Sequence, residues 1–267
     1  MPTRDTPPIG APCWVDLLTS EADRSRAFYG TLLGWSSEEP NPDFGGYFNF
    51  TKRGVREAGG MQWQSGMPGV ANVWSVYLAS DDAGKTVAAA SANGGQVLVE
   101  PMAIADLGTM AVVSDTGGAA IGVWQPGTHP GFRIFGEAGT PSWFELHTRD
   151  YDAAVAFYRD VFRWDTHAVS DAPEFRYTTL ANGDEFLAGI MDASGFLAAG
   201  VPSHWSVYFG VDDADAALST TVDLGGAVVD AAQDTPYGRL ATATDATGAR
   251  FKLVAPNDAM PARPPPS

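Results

Sequence analysis

Glu145 and His147 stand two residues apart in Trp143-Phe144-Glu145-Leu146-His147, and His204, Ser206 and Tyr208 alternate in His204-Trp205-Ser206-Val207-Tyr208. A strand sends alternate side chains to one face. Trp143, Glu145 and His147 therefore share a face, as do His204, Ser206 and Tyr208. A carboxylate beside an imidazole suits general acid–base chemistry, and Tyr208 adds a hydroxyl that can pass a proton. Glu145, His147 and Tyr208 are the expected catalytic set. Two other readings use the same residues. Glu145, His147 and His204 would make a two-histidine, one-carboxylate metal set. Alternatively, Glu145 pairs with a lysine or caps backbone amides, and the histidines hydrogen-bond near the core. Upstream, Trp14, Asp16, Leu18 and Val73, Ser75, Tyr77 repeat both patterns with fewer ionisable groups. Trp14 and Trp143 offer flat walls for an aromatic ligand, or simply bulky core.

Other conspicuous residues read as structural. Asp81-Asp82 and Asp212-Asp213 are expected helix starts, where carboxylates are favoured. Gly94-Gly95 and Gly225-Gly226 are expected helix stops; there is no G-x-G-x-x-G and no P-loop. His129 falls in a linker and His167 in a loop, both expected to be solvated. Cys13 has no evident base beside it, so a nucleophilic role is not expected.

The elements that place these residues come twice. Phe28-Tyr29 and Phe157-Tyr158 lie 129 apart, as do Trp14 and Trp143. Trp74-Ser75-Val76-Tyr77 recurs 131 residues on at Trp205-Ser206-Val207-Tyr208, and Asp115 recurs at Asp245, 130 on. The chain is a tandem duplication, with modules near 11–127 and 138–258, a Gly- and Pro-rich linker at 128–137, and a flexible tail at 259–267. Each module opens with a strand (14–18; 143–147) and a helix whose Phe28/Leu32 or Phe157/Val161 spacing presents one apolar stripe. Ser20 with Asp23 approximates a capping box, and Gly34 ends the first helix where Arg163 ends its counterpart. Strands at 47–50 and 176–180 follow. A second strand (73–78; 204–209) leads through the Asp pair into a second helix, and strands at 96–100, 109–114 and 120–124 complete the first module. The expectation is an α+β fold in which each module is a pair of βαβββ units forming a cupped mixed sheet.

Composition narrows the function. The 267 residues carry 16 Lys plus Arg against 32 Asp plus Glu, a net charge of −16. Such a surface repels phosphate backbones and anionic lipid, so neither nucleic acid nor membrane is an expected partner. One cysteine excludes an intrachain disulfide. No run reaches 18 apolar residues, and Met1–Gly10 lacks the apolar core of a signal peptide, so the expected location is cytoplasmic.

The strand–helix opening ending F-Y-x-x-x-[LV]-[LF]-x-W, the D-D helix with its G-G stop and the late D-x-x-G together resemble the vicinal oxygen chelate superfamily. That group includes glyoxalase I, bleomycin-resistance proteins, fosfomycin-resistance enzymes and extradiol dioxygenases. The resemblance covers about 11–258. More narrowly, the paired W-x-[DE]-L openings are similar to tandem glyoxalase-like proteins of actinobacteria, often labelled "hydroxylase". It implies a divalent metal held by His, Gln or Glu on the first, fifth and last strands of a module, able to grip two adjacent substrate oxygens. Those positions correspond here to Trp14, Ser75 and Gly122, and to Trp143, Ser206 and Lys252. None carries a usual ligand, so no metal and no cofactor is expected.

The same register implies that these positions line a cupped cavity. The ligand-binding set is then Trp14, Asp16, Ser75 and Tyr77 in the first module and Trp143, His204, Ser206 and Lys252 in the second. Lys252 is expected to face Glu145, each offsetting the other's desolvation. Gly122 should leave the first cavity roomier. The expected function is binding of a small apolar or aromatic metabolite, either to sequester it or to catalyse a metal-independent step of lyase, isomerase or hydroxylase type. A metal-dependent lyase or dioxygenase with displaced ligands, and a non-catalytic interaction scaffold, are the alternatives. A monomer with pseudo-dimeric modules, or a homodimer, is expected.

Overall fold

The computed structural model describes residues 4–67, 70–183 and 185–259. The first half contains β1 (Pro12–Thr19), α1 (Ala22–Leu33), β2 (Ser36–Ser37), β3 (Phe48–Lys52), β4 (Val55–Gln62), β5 (Val73–Ala79), α2 (Ala83–Ala92), β6 (Gln96–Ile104), β7 (Gly108–Ser114) and β8 (Ala120–Pro126). The second repeats the plan with β9 (Pro141–Thr148), α3 (Tyr151–Phe162), β10 (Asp165–Ala172), β11 (Phe175–Asn182), β12 (Glu185–Asp192), β13 (His204–Gly210), α4 (Ala214–Asp223), β14 (Ala227–Thr235), β15 (Gly238–Thr244) and β16 (Arg250–Ala255). Each half is one eight-stranded mixed sheet, in the orders β2-β3-β4-β1-β5-β8-β7-β6 and β10-β11-β12-β9-β13-β16-β15-β14. The first strands of the two βαβββ units lie side by side at the centre: β1 runs antiparallel to β5, and β9 to β13. The α+β class and the internal repeat expected from the sequence are both present.

Local chemistry sets the element ends. Asp82 caps α2 by accepting from the Lys85 amide at 3.0 Å, and Asp213 caps α4 through the Asp215 and Ala216 amides. Such caps satisfy amides that have no partner within the helix. Arg163 ends α3 in the left-handed conformation at φ 59°, as Gly34 ends α1 at φ 70°. The Asp of each D-x-x-G closes its turn, Asp115 on the amides of Gly117 and Ala119, and Asp245 on those of Thr247 and Ala249.

Two local expectations are corrected. The N-cap of α1 is Glu21, with no side-chain cap, so Ser20 and Asp23 form no capping box; Thr19 Oγ1 instead accepts from the Glu21 amide. His167 lies on β10 rather than in a loop, though it is exposed. The glycine-rich linker is packed: Phe132 is buried and stacks on Phe144, and the Phe132 amide donates to the Cys13 carbonyl. The proline-rich tail from residue 260 on lies outside the described residues.

The helix-side faces of the two sheets share one aromatic core. Phe28 and Tyr29 of α1 meet Phe251 of β16, and Tyr29, Trp35 and Trp74 meet Phe209 of β13. Trp74 donates to the Tyr29 hydroxyl and Trp205 to the Tyr158 hydroxyl, at 2.8 and 2.7 Å. Tyr158 in turn donates to Asp115 across the interface. Trp74 and Trp205 thus point away from Ser75 and Ser206, as strand alternation requires. The opposite face of each sheet, its cup, carries the expected site residues.

Candidate active site in the second cup

Register places the chemistry. On β9, Glu145 lies opposite Ser206 of β13 and Gly189 of β12, and His147 lies opposite His204 and Met191. Tyr208 pairs with Trp143 on one side and Lys252 on the other. Gly189 is required here: a Cβ would sit 2.0 Å from the Tyr177 hydroxyl. Its absence lets Tyr177 reach across β12 to the carboxylate.

Glu145 is only 4% exposed and has four partners. Oε1 lies 2.5 Å from His147 Nε2 and accepts from the Tyr208 hydroxyl at 2.8 Å; Oε2 accepts from Tyr177 at 2.8 Å. Lys252 Nζ stands 3.9 Å from Oε1, 3.3 Å from His147 Nε2 and 3.1 Å from the Tyr208 hydroxyl, to which it donates. Trp143 Nε1 donates to Tyr177 at 2.9 Å. Burial alone would push the Glu145 carboxyl up. The bond and charge from His147, then the Lys252 charge and the Tyr208 bond, outweigh it and hold the carboxyl at about 2. Burial also raises Tyr177 and Tyr208 well above the usual phenol, reinforced by the Glu145 charge, so both stay protonated donors. Lys252 is lowered by burial, with Glu145 opposing.

The far end of this network is its open side. The His147 ring lies 5.3 Å from His204 and 5.7 Å from Phe196, whose side chain is 58% exposed. His204 is half-buried, its Nδ1 is 2.9 Å from the Pro202 carbonyl, and burial lowers its pKa. The segment 193–203 crosses here and is tied down by Arg149, which donates to the carbonyls of Leu197, Ala198 and Val201. Phe175 stacks on Tyr177 at 5.6 Å and extends the aromatic wall.

The first cup follows the same plan with different content. Asp16 Oδ1 accepts from Trp14 Nε1 at 2.9 Å and from Tyr47 at 2.7 Å. Gly59 admits Tyr47 as Gly189 admits Tyr177. No cation shifts Asp16 among the described residues, and burial raises its carboxyl despite these bonds. The expected extra room at Gly122 is not there: a Cβ would sit 2.1 Å from Tyr77, because the Tyr77 ring lies across that glycine. His129 is another correction. It is half-buried, edge-on to Trp14 at 4.4 Å, and its pKa is lowered to about 4 by burial and by the Arg56 charge.

The expected site residues therefore divide. Glu145, His147, Tyr208, Lys252, Trp143 and His204 form one connected group. Ser206 faces Glu145 across the ladder, as Ser75 faces Asp16, without a hydrogen bond to it among the described residues. Trp14 and Asp16 form the smaller group, with Tyr77 beside them. Tyr47, Tyr177, Gly59 and Gly189 were missed, although each pair recurs at the repeat offset of 130.

The donor set bears on metal binding. At the three places implied by the resemblance, tryptophan has no lone pair to give, serine is a weak ligand, and Lys252 is already donating to Tyr208. In the alternative set, His147 Nε2 is engaged by Glu145 and His204 Nδ1 faces a carbonyl. Among the described residues no group of three His, Cys, Asp or Glu is arranged to hold a metal ion.

Paired eight-stranded sheets of duplicated βαβββ units, each with a carboxyl on its first strand, define a tandem α+β fold. The chain belongs to the Glyoxalase/Bleomycin resistance protein/Dioxygenase superfamily, whose family model matches residues 140–253. It is 36% identical over 260 residues to "Putative glyoxylase CFP32" of Mycobacterium tuberculosis, covering 96% of this chain and 98% of that one. It is 34% identical over 271 residues to "Anthracycline biosynthesis protein DnrV" of Streptomyces peucetius, covering 95% and 96%. Among solved structures, the Mn(II)-bound glyoxalase from Novosphingobium aromaticivorans aligns with TM-score 0.62 at 17% identity, over 92% of this chain and 82% of that one. The 2,3-dioxygenase LapB from Pseudomonas sp. KL28 aligns with TM-score 0.63 at 12% identity, over 92% of both. These two share the fold.

Proposed function

We propose that the chain binds a small apolar or aromatic metabolite at the second cup and acts on it, where it acts, by metal-independent proton transfer. The observation that carries this reading is the buried, ionised Glu145 bonded to His147. A carboxylate only accepts, so the proton between them belongs to His147 Nε2. With Nε2 bonded to Glu145, Nδ1 is the nitrogen left to meet a ligand, and no hydrogen bond engages it among the described residues. Glu145, held near 2, orients and charges the pair rather than taking the proton itself. His147 is the base, and Tyr208 is the donor that steadies negative charge developing on a substrate oxygen. Trp143, Phe175 and Tyr177 supply the aromatic wall, which accords with a relative named for biosynthesis of anthracyclines, a polycyclic aromatic class. Trp143, Ser206 and Lys252 do not suit a divalent metal, and the reading routes no step through one.

The test uses purified full-length protein. Titration with 1,4-dihydroxyanthraquinone should quench tryptophan fluorescence saturably, and His147→Gln should weaken that binding more than His129→Gln does. Elemental analysis after purification without added metal should find no stoichiometric metal. A glyoxalase-like or dioxygenase reading with displaced ligands draws on the relatives' printed name; stoichiometric Zn, Fe, Ni or Mn required for turnover would replace the present reading with it.

A further inference from the structure

We propose that Lys252 captures carbonyl ligands covalently, as a protonated imine on Nζ. The chain has three lysines, Lys52, Lys85 and Lys252. Lys85 is exposed and paired to Asp82, and Lys52 donates to the Leu33 carbonyl at the module interface. Only Lys252 projects into a cup, with its side chain 17% exposed. Its amine is surrounded by the groups that imine formation needs. Tyr208 lies 3.1 Å away, accepting from Nζ and donating to Glu145, and its hydroxyl can turn from the carboxylate to a carbonyl oxygen as the nitrogen attacks. Glu145 lies 3.9 Å away and supplies the negative charge that a cationic imine requires. Two aromatic rings, Tyr208 at 5.0 Å and the Trp143 wall, favour a flat carbonyl compound over a small aliphatic one.

The step balances without an external reagent. Nζ attacks the carbonyl carbon, and the oxygen takes a proton through Tyr208. The carbinolamine then loses its hydroxyl as water. Net, one ammonium and one carbonyl give one protonated imine and one water; the C=O bond is broken, C=N is formed, and no electrons are exchanged. Burial that lowers the lysine also raises its free-amine fraction, tenfold for each pKa unit. Buried lysines are used as carbonyl nucleophiles for this reason.

This inference rests on the second cup being the ligand site, and the test separates the two. Full-length protein is mixed at pH 7 with 2-naphthaldehyde and cyanoborohydride, and the labelled lysine is identified by peptide mass mapping. Fluorescence quenching by the same aldehyde, without reductant, reports binding. The expected result is Lys252 labelled at least about tenfold faster than Lys85. Lys252→Arg, which keeps the cation beside Glu145, should abolish that label. Tyr208→Phe should slow labelling of Lys252, and His129→Gln, outside this network, should leave it unchanged. Quenching with Lys252 labelled no faster than Lys85 overturns the imine and leaves the cup reading standing. Neither quenching nor Lys252 labelling overturns both.

Discussion

The two cups share a carboxyl on the first strand, a tyrosine admitted by a glycine, and a second tyrosine across the ladder, yet their electrostatics are opposite. In the first, Asp16 is bonded to neutral donors alone, and burial pushes its carboxyl up. In the second, His147 and Lys252 hold Glu145 down at about 2. One position separates them most. Gly122 lets the Tyr77 ring lie flat and fill the first cup, whereas Lys252 props Tyr208 beside a cation. Burial raises the carboxyl that has only neutral donors, whereas the His147 bond and charge, then the Lys252 charge, outweigh burial at Glu145. The same duplication produced one cup whose carboxyl is raised by burial and one whose carboxyl is lowered by its neighbours.

Removing one charge of the second cup should have the largest effect. Lys252→Met strands Glu145 and should cost about 3–5 kcal/mol in chemical denaturation, with Glu145→Gln similarly costly. The double variant should lose much less than the sum. Additive losses would show that the pair is not coupled.

A second contrast lies on β4 and β12. Glu57 is 0% exposed and neither oxygen has a hydrogen-bond partner among the described residues, whereas its repeat counterpart is Leu187. Burial lifts the Glu57 carboxyl to about 8, with Lys52 and Arg53 opposing. A carboxyl raised on folding lowers stability as pH climbs from its unfolded value of roughly 4.5 to about 8. Glu57→Leu should therefore stabilise by roughly 2–4 kcal/mol at pH 9 and by much less at pH 5. Thermal melts at both pH values check the sign. Glu145 behaves in reverse: its contribution is full above about 4.5 and is lost as pH falls toward about 2. Acid unfolding of wild type should show a loss below pH 4 that the Glu145→Gln variant lacks.

Smaller effects sharpen the comparison. Gly59→Ala and Gly189→Ala would each drive a methyl into a tyrosine hydroxyl, at about 1–3 kcal/mol. Only Gly189→Ala should also disturb binding of 1,4-dihydroxyanthraquinone. Asp16→Asn keeps an Oδ1 acceptor for Trp14 and Tyr47 and removes no charge pair, so its stability cost should stay within about 1 kcal/mol.

Much of this was legible before the structure. Repeated Phe-Tyr and Trp-Ser-Val-Tyr segments fix the duplication, and strand alternation alone gathers Glu145, His147 and Tyr208. The Glu145–Lys252 approach followed from the family register. What escaped depended on long-range packing. His129 reaches Trp14 only because the linker folds back, and composition calls such a segment solvated. Tyr177 belongs to the site because Gly189, three strands from Lys252 and in neither repeated motif, leaves it space. The room expected at Gly122 vanished because glycine removes its own side chain and thereby admits a neighbour's ring.

The most direct measurement is a side-chain carboxyl titration by NMR, with Glu145 and Asp16 assigned through Glu145→Gln and Asp16→Asn. Glu145 should remain ionised until about pH 2, and Asp16 should titrate above the usual aspartate range. A Glu145 carboxyl that titrates at or above 4.5, or two carboxyls that titrate together, would contradict the opposite shifts of the two cups.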